Sequence, residues 1–296
     1  MDEPDGLARR FEEHRPRLRA VAYRMLGSLS EADDAVQDTW LRASRADTSG
    51  VENLGGWLTT VVARVCLNLL RSRESRREEP LDLQLFDRAA GQESGGDPEQ
   101  EALMADSVGL ALLVVLDTLA PAERLAFVLH DMFAVPFDDI APMIDRSPAA
   151  TRQLASRARR RVKGATPLPA ADISRQRGVV AAFLAATRGG DFDALVALLD
   201  PDVVLRADRA VLPSPGPVVV RGARTVAQGA MAAMARAQAT EAALINGAVG
   251  LVMAPLGRLL LVLRFTVDGD LITAIDVVAE PDRLGGLDLA VLGNSD

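Results

Sequence analysis

Between Glu78 and Asp106 the chain carries nine acidic residues and one basic residue, Arg88, interspersed with Gly, Pro, Gln and Ser. Such a run cannot bury enough apolar surface to offset the entropy lost on ordering it, so it predicts a solvated, flexible segment at about Glu78–Pro98. No single core can run through it. A second break falls at Gly164–Asp172, where ATPLPAAD interrupts a helical pattern with Pro167 and Pro169. Three blocks result, as expected for 296 residues at roughly 100–200 residues per domain. The predicted organisation is 7–77, an acidic linker over 78–103, 104–164, a Pro-rich linker over 165–173, 174–285, and a tail over 286–296.

The formal net charge of −8 argues against general nucleic-acid binding, which draws on basic residues that neutralise phosphates. The average hides a partition. Between Arg146 and Lys163 stand seven basic residues and no acid. The lone Cys66 excludes an internal disulfide and any CxxC-type metal site. No metal and no cofactor is expected. The N-terminus MDEPDGLARR is acidic where a secretory signal is basic and then apolar, and the runs Leu110–Leu116 and Leu259–Leu263 are too short to span a bilayer. A cytoplasmic protein without a membrane partner is expected.

Residues 7–77 and 101–163 place apolar residues at three- and four-residue spacing, the signature of helices. At that period Ala32, Ala35, Val36, Thr39, Trp40 and Ala43 share one face. Asp33, Asp34, Gln37, Asp38 and Leu41 share the other, which is either a solvated surface or a docking face for a basic partner. Further on, Leu58, Val61, Val62, Val65 and Leu69 form an apolar stripe, leaving Thr60, Arg64, Asn68 and Arg71 on one outward line behind Trp57. Arginines attract a phosphate backbone, Asn and Thr reach base edges, and an aromatic stacks on an unpaired base, so this line suits single-stranded DNA. The alternative is a core tryptophan with solvated arginines. The preceding loop, Thr48 to Asn53, has the polar character of one that cups a flipped base.

The most specific pattern is a helix-turn-helix. A first helix starts at Pro121-Ala122-Glu123-Arg124, Phe137 to Ile144 forms a short second one, Asp145-Arg146 turns, and Ser147-Pro148 supplies a helix cap and first position. In the helix that follows, Ala150, Leu154, Ala158 and Val162 are predicted to point inward, while Arg152, Gln153, Ser156, Arg159 and Arg160 cluster outward. Those are base-edge and phosphate readers on a helix poised for a major groove.

The last block reads as α+β. Helices are predicted at about Ser174–Thr187 and Arg224–Gln238, and Leu259, Leu261, Leu263, Phe265 and Val267 alternate before the turn Asp268-Gly269-Asp270. Asp276 alternates with Ile272, Ala274 and Val278 and is a candidate pocket carboxylate or interdomain contact. This block has no His, Tyr, Trp or Cys, since the histidines are His14 and His130 and the one tyrosine is Tyr23. Its acid–base equipment is therefore thin, and no catalytic residue is assigned.

Taken together, FEEHRPRL from Phe11, ADDAVQDTWLR from Ala32, WLTTVVAR from Trp57, and the stretch from Ala122 to Arg161 resemble regions 2 and 4 of the extracytoplasmic-function sigma factors of bacterial RNA polymerase. The phrase SPAATRQLASRARRRV with an α+β extension is similar to the subgroup that carries a C-terminal SnoaL-like cone domain. The resemblance implies a multidomain fold: two all-α sigma domains, a region 2 bundle and a region 4 helix-turn-helix, followed by an α+β SnoaL-like domain. It implies a protein that binds core polymerase and directs initiation at −10 and −35 promoter elements. Asp33, Asp34, Gln37, Asp38 and Leu41 would dock on the clamp helices of the largest subunit, and region 4 would meet the flap. Asn53, Trp57, Thr60, Arg64, Asn68 and Arg71 would take the −10 element, while Ser147, Thr151, Arg152, Gln153, Ser156, Arg157, Arg159 and Arg160 would read the −35 element. The acidic linker would occupy the polymerase's nucleic-acid channel. Where many such factors have Asn, this chain has Val65, and a frequent Asp is here Asn68. The subgroup's terminal Asn-Pro-Asp-Lys-Leu appears as Glu280-Pro281-Asp282-Arg283-Leu284, another candidate pocket or interdomain contact. The resemblance leaves the cone domain a regulatory role, with an unidentified small ligand as one use of it. Two rival readings account for part of the pattern: a helix-turn-helix regulator with a ligand-sensing domain, and a cone-fold isomerase or cyclase fused to a DNA-binding module.

Overall fold

The computed structural model of the chain describes residues 3–76, 109–164, 170–211, 216–255 and 259–292. The acidic segment and the prolines Pro167 and Pro169, on which the predicted boundaries rest, lie outside the described residues. The chain divides into two units, Met1–Glu79 with Leu116–Arg160, and Pro80–Val115 with Arg161–Asp296.

The first unit is helical. It opens with α1 (Glu3–Leu26), α2 (Leu29–Ala43) and α3 (Leu54–Arg76). Gly27, at φ 80°, ends α1 in the left-handed region that a Cβ disfavours. Ser28 then caps α2 by accepting from the Glu31 N–H at 3.4 Å. The bundle buries Phe11, Leu18 and Met25 from α1, Ala32 and Val36 from α2, and Leu58, Val62 and Leu67 from α3. Trp40 lies against Phe11 with ring centroids 5.1 Å apart.

After α4 (Leu110–Asp117), α5 (Pro121–Phe127) begins with proline at its first position and continues as a π-helical turn over Val128–Met132. The short α6 (Phe137–Ile140) runs into a 3₁₀ turn at Ala141–Met143. Asp145 then adopts φ 53°, reversing the chain into α7 (Pro148–Lys163). Ser147 caps that helix, its hydroxyl accepting from the Ala150 N–H at 3.2 Å. The predicted helix-turn-helix is present in this form.

The second unit is α+β. Before the sheet come α8 (Ala170–Gly189) and α9 (Phe192–Leu198), the latter capped by Asp191, which accepts from the Ala194 N–H at 2.9 Å. Then follow β1 (Leu199–Ala207), β2 (Val218–Arg221), α10 (Ala223–Ala232), α11 (Met234–Ala237), β3 (Thr240–Ile245), β4 (Ala248–Met253), β5 (Leu261–Asp268), β6 (Leu271–Val278), α12 (Pro281–Leu284) and β7 (Leu289–Ala290). The strands form one sheet in the order β2-β1-β6-β5-β4-β3-β7. The pair β1–β6 is parallel, and every other neighbouring pair is antiparallel.

The predicted hairpin over Leu259–Val278 is β5–β6, and it sits at the centre of a larger sheet than the alternation alone indicated. One sheet face packs on α8, α9 and α10 through Val180, Phe183, Leu195, Val226, Leu251 and Ile275. On the other face Ala243, Val252 and Val262 pack with Ala111, Val114 and Val115 of α4. A Cβ on Gly250 of β4 would lie 2.5 Å from the Leu263 carbonyl oxygen, so glycine is what allows that close strand contact.

Candidate nucleic-acid interface

On α2 the predicted acidic face is partly built into a groove. Asp34, Gln37, Asp38 and Leu41 line it together with Val65, Asn68 and Leu69 of α3, enclosing about 440 Å³. Leu41 and Leu69 are 43% and 41% exposed, unusual for large apolar side chains in a helical bundle. Asp38 pairs with Arg42 at 2.9 Å on the same helix. Asp33 is placed elsewhere. Both its oxygens are held by Arg19, at 2.7 and 3.0 Å, and it does not line the groove. The prediction that Leu69 belongs to the buried stripe is corrected here: Leu70 is buried instead, because the inward face of α3 turns through Leu58, Val62, Val65, Cys66 and Leu67.

The outward line on α3 is present. Asn53 precedes the helix and caps it, its Oδ1 accepting from the Gly56 N–H at 2.9 Å. Trp57 is half-buried, Thr60 donates to the Gly56 carbonyl at 3.1 Å, and Arg64, Asn68 and Arg71 are exposed along one side. Trp57 and Thr60 border a cleft of about 760 Å³ shared with His14, Arg17 and the segment from Phe133 to Met143, including Asp138 and Asp139. Within the same unit Arg17 donates to the Phe133 carbonyl at 3.0 Å, and the guanidiniums of Arg17 and Arg24 lie 5.6 and 5.2 Å from the Phe133 ring.

On α7, Arg152, Gln153, Ser156 and Arg160 are exposed. The Arg152 guanidinium stands 5.3 Å over the Phe137 ring, which stacks on His130 at 3.7 Å, so a planar donor fork is held at the helix start. Arg157 pairs with Glu123 at 3.0 Å and Arg159 with Asp131. Two of the expected readers are thus tied to acids of α5 and of the π-helical turn that continues it. Thr151 is corrected: it is fully buried, its hydroxyl donating to the Ser147 carbonyl at 3.0 Å, and its side chain serves packing rather than base contact. The buried face is Thr151, Ala155 and Ala158, about one residue out of phase with the expected Ala150 and Leu154.

The least foreseeable feature of this unit is Arg124, 1% exposed. It donates to Asp117 at 3.2 Å and to the Arg24 carbonyl at 3.3 Å, and its second terminal nitrogen has no hydrogen-bond partner. Burial lowers its pKa from the ordinary arginine range, and the Asp117 carboxylate opposes that shift. Nearby, burial pushes the Cys66 thiol up to about 12.

In the second unit Asp276 occupies the sheet face opposite the pocket. Its neighbours Ile275 and Val277 line an apolar cavity, whereas its carboxylate faces Arg206 at 3.7 Å. The pocket-carboxylate expectation is therefore corrected, because strand alternation carries Asp276 outward. Asp208, buried and unassigned by sequence reading, is the carboxylate that matters to this end of the fold. It accepts from the Ala279 and Glu280 N–H groups at 3.0 and 3.1 Å and from the Arg283 guanidinium. Glu280, Pro281, Asp282 and Arg283 are thereby a turn anchored on Asp208, and Glu280 also faces Arg209 at 3.6 Å. Among the described residues no cluster of His, Cys, Asp and Glu is arranged to hold a metal ion, and no helix is long and apolar enough to cross a membrane.

A helical bundle with an outward aromatic and arginine row, followed by a basic helix-turn-helix, is the architecture of a sigma-70-type transcription factor. Both modules match family models, Sigma-70 region 2 over residues 10–76 and Sigma-70, region 4 over residues 109–162. The protein named "Probable ECF RNA polymerase sigma factor SigI" of Mycobacterium tuberculosis (strain ATCC 25618 / H37Rv) is 32% identical over 298 residues, covering 97% of this chain and 98% of its own length. The ECF RNA polymerase sigma factor SigJ of the same strain is 37% identical over 290 residues, covering 93% of this chain and 92% of its own. The crystal structure of M. tuberculosis SigJ aligns over 94% of this chain and 98% of that one, at 32% identity and a TM-score of 0.45. The chain belongs to the ECF RNA polymerase sigma factor family.

Proposed function

We propose that the chain docks on core RNA polymerase through the α2–α3 groove and directs initiation at promoters read by α3 and α7. Asp34, Gln37, Asp38 and Leu41 present acids around an exposed leucine, a surface that complements a basic and apolar partner such as the clamp helices of the largest subunit. Trp57, Thr60, Arg64, Asn68 and Arg71 engage the −10 element as a melted strand. Arg152, Gln153 and Ser156 read the −35 element in the major groove, with Arg160 on phosphate, while the helix-turn-helix meets the flap. The chain works in the cytoplasm, where the polymerase is.

The α+β unit regulates the strength of initiation and carries no catalysis. Among the described residues its cavity is lined mainly by apolar side chains and by no carboxylate, which supports a binding role over acid–base chemistry. The observation that carries the reading is the joint presence, in one helical unit, of the exposed Leu41/Leu69 groove and the outward line from the half-buried Trp57 to the exposed Arg64, Asn68 and Arg71. A helix-turn-helix regulator acting without polymerase needs neither. Run-off transcription with core enzyme on a genomically selected promoter tests it: the full chain yields a defined start site, and an Arg152→Ala chain loses activity selectively on templates with the native −35 sequence. Failure to co-purify with core polymerase would refute it.

A further inference from the structure

We infer that the α+β unit is a receptor for a neutral, largely apolar small molecule, an apolar alcohol or phenol of about a dozen non-hydrogen atoms. The cavity between the sheet and α8, α10 and α11 measures about 290 Å³. A cavity of ~150 Å³ admits benzene, so this volume suits a molecule of about twice that size.

The cavity follows from sequence. On the sheet wall stand Leu205, Leu251, Leu263 and Ile275, all of ordinary core size. Opposite them α10 and α11 offer Gly229, Ala230, Ala233 and Ala237. A wall of glycine and alanine withholds the volume that leucines would occupy in a close-packed core, so the space is written into the helix rather than left by poor packing. Thr225, Gly229 and Ala232 line the cavity and also reach solvent, which puts an opening along α10.

The wall's chemistry selects the ligand. In its buried part the polar side chains are Thr187 and Thr240, whose hydroxyls donate to the Phe183 and Arg236 carbonyls at 2.8 and 3.0 Å. Their donors are spent while their oxygens retain lone pairs, so one ligand hydroxyl can donate there. Among the described residues no acid lines the cavity, and the one ionisable residue there, Arg236, already makes an interaction of its own. A ligand bearing a full charge would bury it without compensation, whereas a neutral hydrophobe gains from leaving water. Binding stands apart from the transcription reading, and only the use of occupancy as a signal rests on it.

The test uses the full chain and 2-naphthol, neutral at pH 7, with 2-naphthoate as its anionic counterpart, both followed by calorimetric titration without polymerase. Expected are saturable one-site binding of 2-naphthol and binding of 2-naphthoate weaker by about tenfold or more. A Cβ at Gly229 meets nothing within 4 Å, so Gly229→Phe projects into open space and also replaces a helix-interior glycine. That variant should keep its circular dichroism and lose about tenfold or more in 2-naphthol affinity. If it fails to fold, Thr225→Trp at the exposed rim provides the same obstruction. Absence of saturable binding, equal binding by the blocked chain, or preference for 2-naphthoate would overturn the inference. None of these results depends on promoter recognition, so failure here leaves the transcription reading standing and the converse also holds.

Discussion

Asp117→Asn should destabilise the helical unit far more than Arg124→Met, although both break the same ion pair. Arg124 lies at 1% exposure with one terminal nitrogen already unpartnered, while the Asp117 side chain retains 33% exposure. Removing the carboxylate leaves a buried cation with no counter-charge, a change that costs about 3–5 kcal/mol. The partial exposure of Asp117 places this case at the lower end, about 3 kcal/mol. Arg124→Met removes the charge itself and its unpaired donor at similar volume, which is neutral or mildly stabilising in such sites. It also gives up the bond to the Arg24 carbonyl, a loss of about 1 kcal/mol, so the net change is about zero. Both tryptophans, Trp40 and Trp57, belong to this unit, and urea unfolding followed by their fluorescence therefore reports on it. With a slope of about 2 kcal/mol/M, Asp117→Asn should lower the midpoint by about 1.5 M, and the double variant should return close to Arg124→Met. A shift below about 0.3 M for Asp117→Asn, or equal damage from Arg124→Met, would refute this account of the buried arginine.

Three further outcomes follow from the geometry. The double change Asp34→Arg, Asp38→Arg places cations around Leu41 and should abolish co-elution with core polymerase in gel filtration while leaving the circular dichroism of the chain unaltered; undiminished assembly would remove the groove from the docking surface. Asp208→Asn keeps one acceptor oxygen for the Ala279 and Glu280 N–H groups but removes the negative charge and the acceptor that face the half-exposed Arg283 guanidinium, so the far-ultraviolet thermal transition should fall by the equivalent of about 1–2 kcal/mol; an unchanged transition would show that the anchored turn is incidental. The Cys66 thiol is held near 12 in the folded chain against 9.0 ordinarily, so above pH 9 the unfolded state releases its proton first and stability falls as pH rises. The slope approaches about 1.4 kcal/mol per pH unit and should be shallower in Cys66→Ala, and alkylation of native chain at pH 8 should be far slower than that of a free thiol; labelling at the free-thiol rate would contradict the burial.

The helical unit was readable from sequence wherever one face of a helix met the core and the other met water. On α3 the line Thr60, Arg64, Asn68 and Arg71 follows from the period, since those outward residues are polar while Leu58, Val62, Val65 and Cys66 are buried; the exceptions are the exposed Leu69 and the buried Thr59. On α7 the period was right and the phase was not. Thr151 belongs to the −35 set only through the family resemblance, and its hydroxyl is satisfied by the Ser147 carbonyl one turn back, which lets the methyl side pack at no hydrogen-bonding cost. Arg124 was opaque for a related reason. An arginine enters a core only when its partners come from elsewhere in the chain, and here those are Asp117 and the Arg24 carbonyl, neither of which a local pattern can reveal.

The sheet was harder to read because burial on both faces erases alternation. Among the seven strands of the described residues, β5 and β6 are legible from alternation, whereas β3 and β4 carry the apolar runs AALI and GLVM, as expected where helix covers one face and α4 the other. A usable signal was present in Asn246-Gly247, whose φ values of 51° and 81° form the tight turn that this dipeptide favours between antiparallel strands. Asp276 and Asp208 show the same difficulty at the level of chemistry. Asp276 was singled out because it stands in an apolar strand, and strand alternation then carries it away from the cavity toward Arg206. Asp208 has no local signal, because it stands between two arginines, Arg206 and Arg209, just beyond the end of β1, where a carboxylate is ordinarily solvated. Its burial depends on the β1–β6 parallel pairing, which brings residue 208 beside 277 and the 279–283 turn across about seventy residues of chain. Parallel pairing has no local sequence signature, because a crossover and not a turn sets the partners. A carboxylate whose ligands are two backbone N–H groups and one arginine therefore becomes visible only once that pairing is known.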